Sequence, residues 1–537
     1  MNETISGLRA HRTEAPPLAD RRGRRRGGNP RALRRALGRL AVCAALGAVP
    51  AAATGVGTGA LTGALTGPLT GPLTGVLTEA AGPQPGSTAS GEVAGSGSTS
   101  ILEGWVQAPA ELVRSAVGGR PPGFGAAVAL VPSWGGRAGL LAGAPAGLSE
   151  GAGGLVLGAA RIGRPASWVT GGAGSWWSGP SNLQGTPGAP VRMASDDQHG
   201  RAIAAAPAWA ALGAPSASSA VALAGAAAPP RQVGAVTVLH LGSDGGPGRL
   251  AQWLHPPPGE VAGGFGSALA FLVQDGVTRA LAVGSPFADD LPSGLPMVGA
   301  VHLFEPVPQA GGAVWSGWRH VRTVHPPSPR VGMSFGASLA WVAGELAIGA
   351  PGDSSLAPGA GCVHGVSRGG GIRWSMRSGE PGARFGTTLC PLGEAWSTGE
   401  PGLAIGAPGR GVVHVYDLVA GTPHRVADLL GRPGAGFGLA LAAAGRHLLV
   451  GAPFAGYRGV PLAGAVHRFV VGPSRLAVET FGAPAPTIGG EFGASTAALR
   501  GADGVVRLAV GEPGSHDGCT ASDASCRPGR VGVFVLP

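Results

Sequence analysis

Seven times along this chain an aromatic–Gly pair opens an apolar segment that closes on Gly-x-Pro. The opening pairs are Phe124-Gly125, His199-Gly200, Phe265-Gly266, Phe335-Gly336, Phe385-Gly386, Phe437-Gly438 and Phe492-Gly493. The closures begin at Gly143, Gly213, Gly284, Gly349, Gly406, Gly451 and Gly511, at distances of 19, 14, 19, 14, 21, 14 and 19 residues. The short form FGASLAWVAGELAIGAP, Phe335 to Pro351, holds two apolar runs that meet around Gly344-Glu345, and it reads as a β-hairpin. The longer forms insert residues at that same turn, where a sheet tolerates them best. Such a unit cannot bury its own apolar faces, so the repeat predicts one array where the chain's 537 residues would otherwise suggest several domains.

A third apolar run follows most closures, as in Gly299 to Phe304, Gly411 to Tyr416 and Gly464 to Phe469. A fourth, more ragged run precedes the next opening, as in Arg249 to His255 or Val321 to His325. Four antiparallel strands per unit predict an all-β chain, a seven-bladed β-propeller. After Pro513 only one strand remains, Val531 to Leu536, so the last blade lacks its fourth. Ile101 to Val106 or Ala110 to Val117 is expected to supply it, closing the ring and removing an open sheet edge.

The net charge of +10 tempts one toward nucleic acid. Residues 1–40, however, hold 11 Arg against three acids, leaving a net of only +2 for the rest. The body lacks the field needed to track a phosphate backbone, and no nucleic-acid partner is expected. The Arg-rich stretch gives way to ten apolar residues, Leu40 to Val49, and then to Ala51-Ala52-Ala53, the order of a secretory signal. Ten residues are too few to span a bilayer as a helix, so no membrane span is expected once the leader is removed. An organelle transit peptide is the rival reading. Residues 1–53 are therefore read as leader and 54–100, with its Leu-Thr-Gly triplets, as low-complexity linker. The propeller takes 101–537.

These units resemble the FG-GAP repeats of the integrin α-subunit head and its bacterial relatives. The resemblance rests on six clear copies and one decayed copy, His199-Gly200. It implies a propeller outside the cytoplasm, acting in adhesion or protein recognition. Members of that family often carry a calcium loop of three or four Asp between the first two strands of a blade. Here the loops keep one Asp each, Asp275 and Asp503, and the closing acidic position is Arg279 or Arg507. Calcium wants six to eight oxygen ligands, so no cofactor is expected although the resemblance itself admits calcium, and the Arg is read as pairing with the Asp in the cation's place, with a plain solvated turn as the alternative. In integrin-like propellers the loops between second and third strands face the ligand. The polar residues of those loops are the binding candidates: Asp289, Asp290, Asp353, Tyr457, Arg458, His516 and Asp517.

Other residue types carry weaker signals. His302, His364, His414 and His467 recur at one third-strand position in different blades, too far apart to share a zinc ion, and read as structural. Cys519 and Cys526 flank a polar loop and would form a disulfide in an oxidising compartment, whereas Cys362 and Cys390 are open to pairing or to burial as thiols. The 12 Trp read as packing between blades, with sugar stacking as the alternative. No nucleophile elbow, phosphate loop or His-Glu-x-x-His stands out, so the chain is not read as an enzyme. The expected function is an exported or cell-surface module that binds a protein or surface glycan. A carbohydrate-binding propeller and a hydrolase or lyase using loop carboxylates are the alternatives.

Overall fold

Each aromatic–Gly opening leads at once into an antiparallel hairpin. The computed structural model describes residues 101–107, 123–134, 137–145, 156–161, 175–178, 198–217, 233–241, 249–257, 263–290, 292–308, 315–393, 400–471, 476–514 and 529–536. The leader, the linker, His516, Asp517, Cys519 and Cys526 lie outside the described residues. Among those described there is no helix, hence none long and apolar enough to cross a membrane.

Strand β1 (Ile101–Gln107) comes first, and then β2 (Ala127–Trp134), β3 (Arg137–Gly143), β4 (Val156–Arg161) and β5 (Ser175–Ser178). Next are β6 (Ala202–Ala206), β7 (Trp209–Ala214), β8 (Ala235–His240) and β9 (Arg249–Leu254). They are followed by β10 (Ala268–Gln274), β11 (Val277–Ser285), β12 (Ala300–Pro308) and β13 (Trp315–Val324). After these run β14 (Ser338–Val342), β15 (Glu345–Ala350), β16 (Cys362–Val366) and β17 (Ile372–Arg377). Then come β18 (Thr388–Leu392), β19 (Gly402–Ala407), β20 (Val412–Val419) and β21 (Thr422–Leu430). The remainder are β22 (Ala440–Ala444), β23 (His447–Ala452), β24 (Ala465–Val471), β25 (Leu476–Phe481), β26 (Ser495–Arg500), β27 (Val506–Glu512) and β28 (Arg530–Leu536).

The chain is an all-β propeller of four-stranded antiparallel blades. Sheets β6–β9, β10–β13, β14–β17, β18–β21 and β22–β25 each run in sequence order. A sixth has the order β1-β28-β27-β26, so the earliest strand completes the last sheet, with Ile101 opposite Val535 and Gln107 opposite Arg530. The group β2–β5 is looser, since β3 and β4 register only at Gly139–Arg161 and Leu140–Ala160. Where the hairpin is shortest, Ala343 and Gly344 form a two-residue turn with φ of 51° and 77°, the geometry that suits the twist of the flanking strands.

The repeated glycines make the joints between sheets. Each opening Gly donates its N–H to the closing Gly carbonyl of its own hairpin, as Gly266 does to Gly284 at 3.0 Å. Each closing Gly in turn abuts the opening Gly of the next sheet: Gly143 on Gly200, Gly213 on Gly266, Gly284 on Gly336 and Gly349 on Gly386. The series continues with Gly406 on Gly438 and Gly451 on Gly493, and Gly511 returns to Gly125. A Cβ at Gly284 would lie 2.1 Å from the Gly336 carbonyl oxygen, so only glycine permits the contact. Ser338, Thr388 and Ser495 reinforce it, donating to the carbonyls of Gly386, Gly438 and Gly125 at 2.6–2.7 Å.

The opening Phe fills the core beneath each joint. Phe124, Phe265, Phe335, Phe437 and Phe492 are fully buried, each worth about 1.5–3 kcal/mol in transfer free energy. The recurring histidines cover these rings: His302 on Phe265, His364 on Phe335, His414 on Phe385 and His467 on Phe437, with ring centroids 5.2–5.7 Å apart. Each histidine Nδ1 meets the side chain directly opposite on the fourth strand: Thr323, Ser375, Asp428 or Thr480. In the sheet with the decayed opening the roles are exchanged. His199 takes the Phe place, Thr237 takes the His place, and the two bond at 2.7 Å. In the last sheet the third-strand position is Gly532, and Trp105, directly opposite on β1, covers Phe492 instead. Tryptophan also packs between sheets, as where Trp209 meets Trp318 edge to face with centroids 5.2 Å apart.

Candidate functional site

Antiparallel order puts the loops between second and third strands on one face, together with the connections that lead from one sheet to the next. The two kinds of loop are knitted together there: Gly332 donates to the Pro296 carbonyl, Ser334 to that of Met297, and Gly352 to that of Met333. The opposite face carries the hairpin turns.

The acidic candidates hold their own loops. Asp290 is buried, and its Oδ2 accepts from the Ser293 N–H at 3.1 Å and from the Ser293 hydroxyl. Asp289 is exposed and accepts from the Met297 N–H at 3.0 Å. Asp353, also buried, accepts from the Ser355 N–H at 2.6 Å. Tyr457 flanks a tight turn of Arg458 and Gly459, bonding to Val460 in both directions, and its ring lies against Gly482. Arg458 is exposed, its guanidinium carbon 5.4 Å from the Tyr457 ring centroid. No contact brings the Asp289–Asp290 loop, the Asp353 loop and the Tyr457 loop into one cluster among the described residues. They sit on three different sheets.

The two reduced Asp loops differ. At the β26–β27 turn Arg507 donates to both carboxylate oxygens of Asp503, at 3.1 and 2.7 Å, and the guanidinium holds that carboxyl below its usual range. At the β10–β11 turn Asp275 and Gly276 form a two-residue turn with φ of 52° and 72°. Both Asp275 and Arg279 are exposed, and no ion pair joins them. The reading of Asp275–Arg279 as a pair is corrected: a turn that tight uses Asp275 for its backbone conformation. Among the described residues no three His, Cys, Asp or Glu side chains converge as a metal site needs.

One cavity of about 250 Å³ opens on the loop face beside β16. Its lining includes the buried Asp353 and His364, the exposed Arg330 and Arg377, and Ser328, Ser355 and Leu356. Arg377 ends β17, directly opposite Cys362, and Arg330 lies on the connection from β13 to β14. Neither guanidinium forms an ion pair with a described residue. His364 Nε2 faces the Cys362 Sγ at 3.3 Å, and Nδ1 faces the Ser375 hydroxyl at 2.7 Å. Burial lowers the His364 pKa to about 4, with Arg377 acting in the same sense. It raises the Cys362 thiol to about 12, aided by Asp353, so this pair is a neutral imidazole beside an unionised thiol and not an activated nucleophile. Cys362 and Cys390 are both free and buried. Sequence reasoning named Asp353 but missed Arg330 and Arg377, which belong to no repeat position. The signal for Arg377 was its place at the end of a fourth strand, two sheet positions from the recurring His.

No protein-family model and no curated protein matches the sequence. Among solved structures, Sqt1 of Saccharomyces cerevisiae aligns at a TM-score of 0.36 and 11% identity, over 64% of this chain and 97% of its own. A Bacteroides uniformis protein assigned as a 6-phosphogluconolactonase aligns at 0.33 and 12%, over 55% of this chain and 78% of its own. Likeness at this level says nothing about activity.

Proposed function

We propose that residues 101–537 form an exported, integrin-α-like propeller of seven blades that recognises a protein ligand through its loop face. The count of seven is supported by the group β2–β5 standing beside the six regular sheets, and by the glycine joints that return from Gly511 to Gly125. An experimental structure with six sheets about the axis overturns it. Export rests on the leader's charge and apolar order.

The observation that carries the recognition reading is a rigid loop face with exposed apolar tips. Asp289, Asp290 and Asp353 each turn one oxygen to a loop N–H, which fixes the loops in advance of any partner. Val331, Leu356 and Ile488 stand out at 61–63% exposure, Leu356 between the second and third strands of its sheet and the other two on sheet-to-sheet connections. Preorganised loops with apolar tips suit protein contact. Among the described residues, Trp209, Trp253 and Trp318 are buried and Tyr457 is packed on Gly482, which takes these four rings out of reach of a stacking sugar.

The test is photo-crosslinking in the native cells with full-length protein. Cross-linkers placed at Leu356 and Ile488 should capture a defined protein, competed by unlabelled chain, while ones at Gly276 and Gly504 on the hairpin-turn face should not. Capture from neither face, or equally from both, overturns the reading.

A further inference from the structure

We infer that the cavity between Arg330 and Arg377 is a carboxylate pocket that takes one acidic side chain of a partner protein. The inference rests on the recognition reading and names what one part of the loop face holds.

Charge selects the ligand's sign. Among the described residues the cavity is lined by two arginines and a single carboxylate, Asp353, one oxygen of which already accepts from the Ser355 N–H. His364 lies between a thiol and a hydroxyl, with no carboxylate bonded to its ring, and adds no charge. The balance is one unpaired positive charge, which one carboxylate neutralises. Arginine suits this task because its planar fork meets both oxygens of a carboxylate at once. Ser328 and Ser355 supply further hydroxyl donors at the same cavity.

Size and rim select the carrier. About 250 Å³ falls below the volume of a pocket for a whole small molecule, and matches a side chain inserted from a larger body. Among the described residues no Trp, Tyr or Phe lines the cavity, which offers a uronic acid no ring to stack upon. The rim is apolar instead: Leu356 is 63% exposed and Val331, next to Arg330, is 61% exposed. A Glu side chain flanked by an aliphatic residue complements both features. Backbone bonds from Gly352 to the Met333 carbonyl and from Gly332 to the Pro296 carbonyl tie the loops around the pocket to neighbouring segments.

Full-length protein would be titrated with a fluorescein-labelled Gly-Ser-Leu-Glu-Ser-Gly peptide and with its Gln counterpart, read by fluorescence anisotropy. The Glu peptide should bind about tenfold or more tightly than the Gln peptide, a difference of about 1.4 kcal/mol. R330Q and R377Q should each abolish that preference. Both arginines are exposed and form no ion pair with a described residue, so an unchanged unfolding midpoint should show the variants folded. Equal binding of the two peptides overturns the inference, as does a preference that survives both substitutions. An oligogalacturonate that binds more tightly than the peptide, and loses binding in the same variants, overturns the assignment to protein. Cross-linking from Leu356 without carboxylate preference sinks the pocket and leaves the recognition reading standing. Carboxylate preference without loop-face cross-links does the reverse.

Discussion

The guanidinium carbon of Arg530 sits 3.9 Å from the centroid of the Trp105 ring. One residue belongs to the last strand and the other to the first, so this contact fastens the two ends of the propeller together. Arg530 Nε also donates to Glu512 Oε2 at 2.6 Å, and Glu512 is only 3% exposed. Removing the cation takes the Arg530 guanidinium away from a buried carboxylate. R530M is expected to lower stability by about 3–5 kcal/mol, read as a shift in the urea unfolding midpoint at constant slope.

The exchanged pair in the decayed copy sets a double-mutant cycle. H199F alone strands the buried Thr237 hydroxyl and should cost about 1–3 kcal/mol. H199F/T237V removes both polar partners, together with an imidazole whose Nδ1 already lacks one, and should recover most of the loss. Equilibrium denaturation of the four species measures it.

Two glycines should respond oppositely to a methyl group. G284A drives a Cβ to 2.1 Å from the Gly336 carbonyl and should unfold or strongly destabilise the chain, whereas G379A meets nothing within 4 Å and should change stability by under about 0.5 kcal/mol. Thermal melts of the two variants decide.

Acid should weaken the fold from within. Burial lowers His199 and His302 from 6.5 to about 3, and His364 to about 4. The folded pKa values lie below the unfolded ones, so the unfolded chain takes up protons first as pH falls. Stability should hold above pH 6.5 and drop below it, by on the order of 2 kcal/mol per imidazole at pH 5, until the folded values are reached. Urea midpoints from pH 7.5 to 4.5 trace this. H302Q should flatten the acid limb and cost stability at pH 7.5, where His302 bonds Thr323 and Ser285.

Cys362 and Cys390 should resist alkylation. Both are buried, and burial pushes each thiol up to about 12. Peptide mapping after iodoacetamide at pH 8 should find neither labelled in folded protein and both labelled in urea.

The repeat made the strands legible because its spacing is a backbone requirement. Gly284 and Gly336 occur where they do since no side chain fits between the sheets, and that necessity is printed in the sequence. The histidines were legible as a recurring position but not in their role, because the Phe each one covers lies more than 25 residues earlier and meets it only after two strand reversals. The loop acids were picked for their polarity, which does not separate a carboxylate facing a ligand from one holding a turn. Asp290 and Asp353 proved to hold turns. Arg330 and Arg377 stayed hidden because their neighbourhood exists only where a connection and a strand end converge.

The register of β1 against β28 has a mechanical side. Ile101 lies opposite Val535 and Gln107 opposite Arg530, so the outward-leading ends of both strands emerge at the same end of the pair. A load pulling residues 101 and 536 apart would peel the ladder one hydrogen bond at a time instead of shearing all of them together. The Arg530–Trp105 clasp lies at the far end of that ladder. It would be the last thing to give.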